Sequence, residues 1–90
     1  MNITVIGCGR WGSLITWYLD RTGHRVTLYG REGSARMQRF QETRSNDLLT
    51  LPESVALCTD LSCAKDAEVI IISIGSQSLR GLMQELQGMA

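Results

Sequence analysis

The sequence predicts an α/β fold with a doubly wound parallel sheet, and three observations support this. A G-x-G-x-x-G pattern at Gly7, Gly9 and Gly12 directly follows a short apolar run near the start of the chain. Beyond it, apolar runs of strand length alternate with segments of helical periodicity. The run at residues 69–74 is almost entirely apolar, which is typical of a parallel strand buried on both faces. Strands that alternate with helices build a parallel sheet.

The predicted elements follow one another with short connections. Strands are expected at residues 3–6, 25–29, 55–58 and 69–74, and helices at the glycine pattern, at 32–43, at 61–65 after an N-cap at Asp60, and at 76–87. In the order 3-2-1-4, four such strands form the first half of a Rossmann-like sheet.

The three glycines have separate roles in the predicted turn. Gly7 allows a sharp exit from the first strand, Gly9 removes a Cβ where a cofactor pyrophosphate approaches the backbone, and Gly12 lets the helix pack closely on the sheet. The helix N-terminus then offers free N–H groups and the positive end of its dipole. The pattern in this βαβ context predicts a dinucleotide site.

Two residues inside the turn are further candidates for cofactor contact. Arg10 opposes the helix dipole in the first turn, which indicates an anion nearby. Trp11 has two interpretations, contact with the cofactor or packing of its indole over the first strand, and the sequence favours neither.

The end of the second strand bears on the identity of the cofactor. NAD-selective folds usually place Asp or Glu there, whereas this strand ends Tyr29-Gly30-Arg31. Gly30 is expected to leave room for a 2′-phosphate and Arg31 to bind it, so NADP is favoured over NAD. Two alternatives stay open: Glu32 binds the ribose, or Arg31 is simply solvated.

Composition excludes several classes of function. The chain has 90 residues, 43% hydrophobic and 20% charged, with a formal net charge of +0, which predicts one globular domain and no nucleic-acid partner. No apolar run approaches the roughly 20 residues of a membrane span, and the start lacks a signal-peptide pattern, so we expect no membrane insertion and a cytoplasmic location. Three cysteines without a C-x-x-C pair and one histidine predict no metal site.

The fourth strand is predicted to lie at an edge of the sheet although its sequence suits an interior position. Exposed apolar edges invite pairing. We therefore expect either that the chain is part of a longer protein, which is favoured, or that two chains form a homodimer along this edge.

Several motifs resemble those of bacterial NAD(P)-dependent glycerol-3-phosphate dehydrogenase along the whole chain. They are G-x-G-x-W-G-S in the turn, G-H-x-V-T-L-x-G-R at the second strand, Leu51-Pro52, and Ser76-Gln77-x-Leu79-Arg80. The resemblance implies hydride transfer between NAD(P)H and dihydroxyacetone phosphate or glycerol 3-phosphate, for the synthesis of phospholipid precursors.

The resemblance also assigns site residues. It implies cofactor contacts at Arg10, Trp11, Arg31, Ser76 and Gln77. It places the catalytic lysine and the substrate ligands beyond these residues, in a helical C-terminal domain. Residues 1–90 are then the N-terminal cofactor-binding part, with no catalytic residue; the chain's one lysine, Lys65, matches no catalytic position.

Two other classes remain open. Nucleotide-sensing modules attached to potassium channels resemble residues 1–29 through G-C-G-R-x-G and G-H-x-V. Those modules normally carry Asp after the second strand, so Gly30 and Arg31 favour the dehydrogenase. The other class is a different oxidoreductase of the 6-phosphogluconate dehydrogenase-like group.

Overall fold

The computed structural model describes residues 1–74; the predicted helix at 76–87, with Ser76 and Gln77, lies outside them. Four parallel strands form one sheet in the order β3-β2-β1-β4. The strands are β1 (Asn2–Ile6), β2 (Arg25–Tyr29), β3 (Ala56–Cys58) and β4 (Val69–Ile72). The predicted fold class and strand order are confirmed.

Helices connect consecutive strands: α1 (Arg10–Arg21), α2 (Ala35–Thr43) and a 3₁₀ helix (Leu61–Asp66). Helix α2 begins later than the predicted residue 32, because Gly33 has a φ of 86° and Ser34 serves as the N-cap, accepting a hydrogen bond from the Met37 N–H at 3.4 Å. The predicted cap at Asp60 is confirmed, since its carboxylate accepts from the Ser62 N–H at 3.0 Å.

Two strands are shorter than predicted. Strand β3 begins at Ala56, because the Val55 N–H is used in a turn, donating to the Pro52 carbonyl at 3.1 Å. Strand β4 ends at Ile72 rather than at residue 74, since its register with β1 stops at the pair Ile6 and Ile72. The chain leaves β1 at Gly7, and this ends the ladder.

The side chains of β1 alternate between two apolar layers, as the period of a strand requires. Ile3 and Val5 pack with α1 and α2, in a layer that also contains Val26, Leu28, Met37, Phe40, Leu51 and Val55. Ile6 faces the other layer, with Tyr29 and Leu61. Helices therefore cover both faces of the sheet, which is the doubly wound arrangement.

Strand β4 is less buried than expected. Within residues 1–74 it pairs only with β1, and Val69, Ile70 and Ile72 are all exposed. The expectation of a strand buried on both faces is wrong for the described part of the chain, because the sheet does not continue past β4 there.

Arg44 holds the connection between α2 and β3. It ends α2 with a φ of 58°, and its guanidinium donates to the carbonyls of Leu51, Pro52 and Val55. The Leu51 N–H returns a hydrogen bond of 2.7 Å to the Arg44 carbonyl. A single side chain thus closes a long connection that contains no helix or strand.

Candidate functional site

The glycine turn joins β1 to α1 and is closed by tight backbone contacts. Gly7 has a φ of 116°, and a Cβ there would collide with the Ser73 carbonyl. A Cβ on Gly12 would collide with the carbonyl oxygen of Gly7. The roles predicted for Gly7 and Gly12, a sharp exit and close helix packing, agree with this geometry.

Helix α1 begins directly at the turn. Its N-cap is Gly9, which has no side chain to cap the first N–H groups, and the first turn has no acidic residue. The N–H groups of the first turn cannot be satisfied within the helix. This end of α1 therefore offers N–H donors and a positive dipole end to an anion.

A cavity of about 600 Å³ lies over the turn, at the carboxyl ends of β1 and β2. Its described lining includes five predicted site residues: Gly7, Gly9, Arg10, Trp11 and Arg31. In open parallel sheets, this edge is where ligands bind. Gly12 lies outside the lining and acts through packing, and Ser76 and Gln77 lie outside the described residues.

Trp11 is 70% exposed and lines the cavity. The alternative in which its indole packs over β1 is therefore wrong. An indole this exposed beside a cavity is free to contact a bound molecule, and its fluorescence can report such contact.

Gly30 has a packing role beyond the one expected of it. A Cβ there would lie 2.7 Å from Met37 Cε and 2.8 Å from Cys8 Sγ. The core already fills the space on that side of Gly30, while its backbone lines the cavity, and room for a 2′-phosphate beside it stays a prediction. The glycine serves packing between β2 and α2, and the argument for NADP depends on Arg31.

The sequence analysis missed the residues that the start of α2 adds to the lining, Ser34 and Arg36. Ser34 caps α2 and lies 3.8 Å, Oγ to Sγ, from Cys8 in the turn. Arg36 lies in the first turn of α2. The N-cap at Ser34 is the sequence signal that could have found them. A helix that begins after Ser34 places Ser34 and Arg36 near the carboxyl end of β2, where the cavity lies.

The charge of the cavity is strongly one-sided. Arg10, Arg31 and Arg36 line it, and its described lining contains no Asp or Glu. Within residues 1–74 the ion pair found is between Arg39 and Asp47, with an N–O distance of 3.0 Å, and it lies outside this lining. The three arginines therefore favour a multiply charged anion in the cavity.

A smaller cavity of about 340 Å³ adjoins the first and shares Cys8, Gly9, Arg10 and Arg36 with it. The remaining wall comes from α2 and from the connection that follows it, including Arg39 and Asn46. Asn46 donates a hydrogen bond of 2.9 Å to Oγ of the buried Ser13, just after the glycine turn.

The cysteines are all free thiols. Cys8 is buried in the turn, while Cys58 and Cys63 are half-buried. Burial, together with a hydrogen bond with Cys58, raises the pKa of Cys63 to about 12. Residues 1–74 contain no group of three or more His, Cys, Asp or Glu side chains placed to hold a metal ion.

This chain shares its sequence pattern with a known protein family. A family model described as NAD-dependent glycerol-3-phosphate dehydrogenase N-terminus matches residues 2–90. The chain belongs to this family. The resemblance seen in the motifs is confirmed, and the match favours the dehydrogenase over the potassium-channel module. None of the helices in the described part of this family member is long and apolar enough to cross a membrane.

Curated relatives share the family. A protein named glycerol-3-phosphate dehydrogenase [NAD(P)+] from Thermoanaerobacter is 31% identical over 94 residues, covering 100% of this chain and 28% of the relative. A protein of the same name from Bradyrhizobium is 36% identical over 88 residues, covering 94% of this chain and 27% of the relative. The chain thus spans little more than a quarter of their length.

A solved structure has the same fold. It comes from work titled "Substrate-directed dual catalysis of dicarbonyl compounds by diketoreductase", with a TM-score of 0.59 and 24% identity, and the match covers 82% of this family member and 31% of that chain. At this identity the likeness concerns the fold alone.

Proposed function

We propose that this chain is the cofactor-binding part of a glycerol-3-phosphate dehydrogenase. The observation that carries the proposal is the cavity over the glycine turn, where an uncapped helix N-terminus and three arginines meet without a carboxylate among the described lining residues. Pyrophosphate is a multiply charged anion that suits such a cavity. The matching family is described as NAD-dependent, which favours a dinucleotide as the molecule that carries the pyrophosphate.

The residues present fit a dinucleotide. Gly9 would let the pyrophosphate approach the backbone, and the N–H groups at Arg10 and Trp11 would donate to its oxygens. The cofactor, once bound, supplies hydride transfer at its nicotinamide. The chain's own residues bind and orient it. Gly7, Gly12, Ser76 and Gln77 complete the proposed cofactor-binding set.

NADP is the proposed preference. Arg31 follows β2 directly and lines the cavity, where its guanidinium can form paired hydrogen bonds to a 2′-phosphate. NADH lacks that phosphate, so removal of Arg31 should affect only the phosphorylated cofactor.

Parallel titrations with NADPH and with NADH, monitored by the quenching of tryptophan emission, test the cofactor site and its preference for NADPH. NADPH is expected to bind more tightly, and Arg31→Gln should abolish that advantage while NADH binding is kept. The matched control is Arg25→Gln, an exposed arginine at the opposite end of the same strand. A folded chain that binds neither nucleotide would overturn the proposal.

The activity is proposed for a longer protein in which residues 1–90 are the N-terminal domain. Dihydroxyacetone phosphate and glycerol 3-phosphate are the proposed substrates, phospholipid precursor synthesis is the proposed purpose, and the cytoplasm is the proposed location. Catalytic residues are expected outside this chain.

A chimera tests the activity. This chain would replace the matching segment of the Bradyrhizobium relative, with which it is 36% identical. We expect oxidation of NADPH that depends on dihydroxyacetone phosphate, whereas the 90-residue chain alone should show none. A chimera that binds NADPH but does not oxidise it with this substrate would contradict the proposal.

A further inference from the structure

Arg36 extends from α2 to the glycine turn of a different element. Its Nη1 lies 3.3 Å from the position that a Cβ on Gly9 would occupy. Arg36 lines both the larger and the smaller cavity, so its side chain forms part of the boundary between them. The guanidinium is thus placed directly over the backbone of the turn.

The position over Gly9 has a specific chemical meaning. In a G-x-G-x-x-G turn, the second glycine lacks a Cβ so that the pyrophosphate can approach the backbone. A group within 3.3 Å of that missing Cβ therefore lies within reach of the pyrophosphate oxygens. A guanidinium can form paired, charge-assisted hydrogen bonds to such oxygens.

The surroundings of Arg36 do not offer it another anion. Besides Arg36, the charged residues in the described linings of the two cavities are Arg10, Arg31, Arg39 and Asp47, and the Asp47 carboxylate is paired with Arg39. Placing several cations together without a carboxylate costs free energy unless an anion is bound. The arrangement is explained if Arg36 contributes to an anion site.

We propose that Arg36 binds the pyrophosphate of the dinucleotide, completing from α2 the anion site that the N-terminus of α1 begins. This inference rests on the proposed function and deepens it. Arg31 and Arg36 then have separate tasks. Arg31, at the end of β2, reads the 2′-phosphate that distinguishes NADPH, whereas Arg36 reads the pyrophosphate that both cofactors share.

The division of tasks gives a sharp test with three variants and two cofactors. Arg36→Gln should raise the Kd of NADH and of NADPH by a similar factor, about tenfold for loss of a charged hydrogen-bond donor. Arg31→Gln should raise the Kd of NADPH alone. Arg25→Gln is the matched control, since Arg25 is an exposed arginine at the start of β2 and lies outside the lining of both cavities.

Two further measurements separate a loss of binding contacts from a loss of folding. Urea unfolding of each variant should show that the variant is folded in the absence of urea, under the conditions of the binding titration. Arg36→Lys should restore part of the affinity for both cofactors, because an ammonium keeps the charge without the planar fork.

Each outcome decides the inference. If Arg36→Gln weakens NADPH and spares NADH, Arg36 reads the 2′-phosphate and the assignment to pyrophosphate is wrong. If it changes neither Kd while Arg31→Gln still removes the preference for NADPH, Arg36 has no role and the proposed function survives. If the folded native chain binds neither cofactor, both proposals fail together.

Discussion

Asn46 Nδ2 lies 2.9 Å from Ser13 Oγ, and this hydrogen bond joins the connection after α2 to the first turn of α1. Ser13 in turn lies 2.8 Å, Oγ to carbonyl oxygen, from Gly9. The Asn46 side-chain oxygen accepts from the N–H groups of Leu48 and Leu49 at 2.9 and 3.0 Å. One amide therefore orders its own turn and supports the backbone over which the cofactor is proposed to bind.

Removing this amide should destabilise the fold. Asn46→Ala is expected to lower the free energy of unfolding by about 1–2 kcal/mol, because part-buried hydrogen bonds are lost. Asn46→Asp is the matched variant, since it keeps the acceptor for Leu48 and Leu49 and loses the donor to Ser13. Urea unfolding of the two Asn46 variants, of Ser13→Ala and of the double variants measures the coupling energy between Asn46 and Ser13. Strictly additive losses in the free energy of unfolding would contradict a direct interaction between the two side chains.

Gly12 should tolerate a methyl group far less well than Gly23. A Cβ on Gly12 would collide with the Gly7 carbonyl, so Gly12→Ala must push α1 away from the sheet, at a cost of about 3 kcal/mol. Gly23 has a φ of 97° but open space around it, so Gly23→Ala is expected to cost about 1 kcal/mol of backbone strain. The free energies of unfolding in urea compare the two; equal losses would show that the contact with Gly7 is not tight.

Cys63 should react slowly with iodoacetamide near neutral pH, because burial raises the pKa of its thiol to about 12 and the thiolate is the nucleophile. Cys58→Ala removes a hydrogen bond and a charge interaction that also raise this pKa, so it should speed the modification of Cys63. Mass spectrometry of each modified site at a series of pH values gives the rates. Fast modification of Cys63 in the native chain would refute the burial argument.

The same pKa shift has a consequence for stability. The folded-state pKa of Cys63 is raised above the usual thiol value of 9.0, so between about pH 9 and 12 the unfolded chain loses this proton and the folded chain keeps it. The contribution of Cys63 to stability is therefore full below pH 9 and declines as the pH rises towards 12. Comparing urea midpoints of the native chain and Cys63→Ala across this range should reveal the decline, which the variant should lack.

The edge at β4 should make the chain self-associate. Ile70 is 40% exposed on a strand that pairs, within residues 1–74, only with β1. Unpaired apolar edges add further strands, so we expect a concentration-dependent dimer by size exclusion with crosslinking. Ile70→Lys should weaken it by placing a charge on the edge, whereas Glu53→Lys in the exposed turn before β3 should not. A native chain that stays monomeric at every concentration would contradict the edge argument.

Much of the fold could be predicted because local patterns and tertiary structure agree. The glycine pattern, the apolar runs of strand length and the Asp60 cap each specified an element that the structure contains. The ends of helices and strands were less predictable where the backbone conformation of one residue sets them. The positive φ of Gly33, for example, delays the start of α2 to Ala35.

The site was predicted where its residues are close in sequence and missed where they are not. Gly7 to Trp11 form one turn, so spacing alone brings them together. Arg36 reaches the same turn from α2, and no local pattern reveals that contact. The packing of Met37 and Cys8 against Gly30 is another contact that no local pattern reveals.

The most direct test of the central claim is an amide NMR titration of the labelled chain with NADPH. We predict that the largest shifts fall on the amides of Gly9, Arg10 and Trp11 and on the indole N–H of Trp11, since the pyrophosphate should accept from the first turn of α1. Shifts confined to other parts of the fold, or none at saturating NADPH in a folded chain, would contradict a dinucleotide site at the glycine turn.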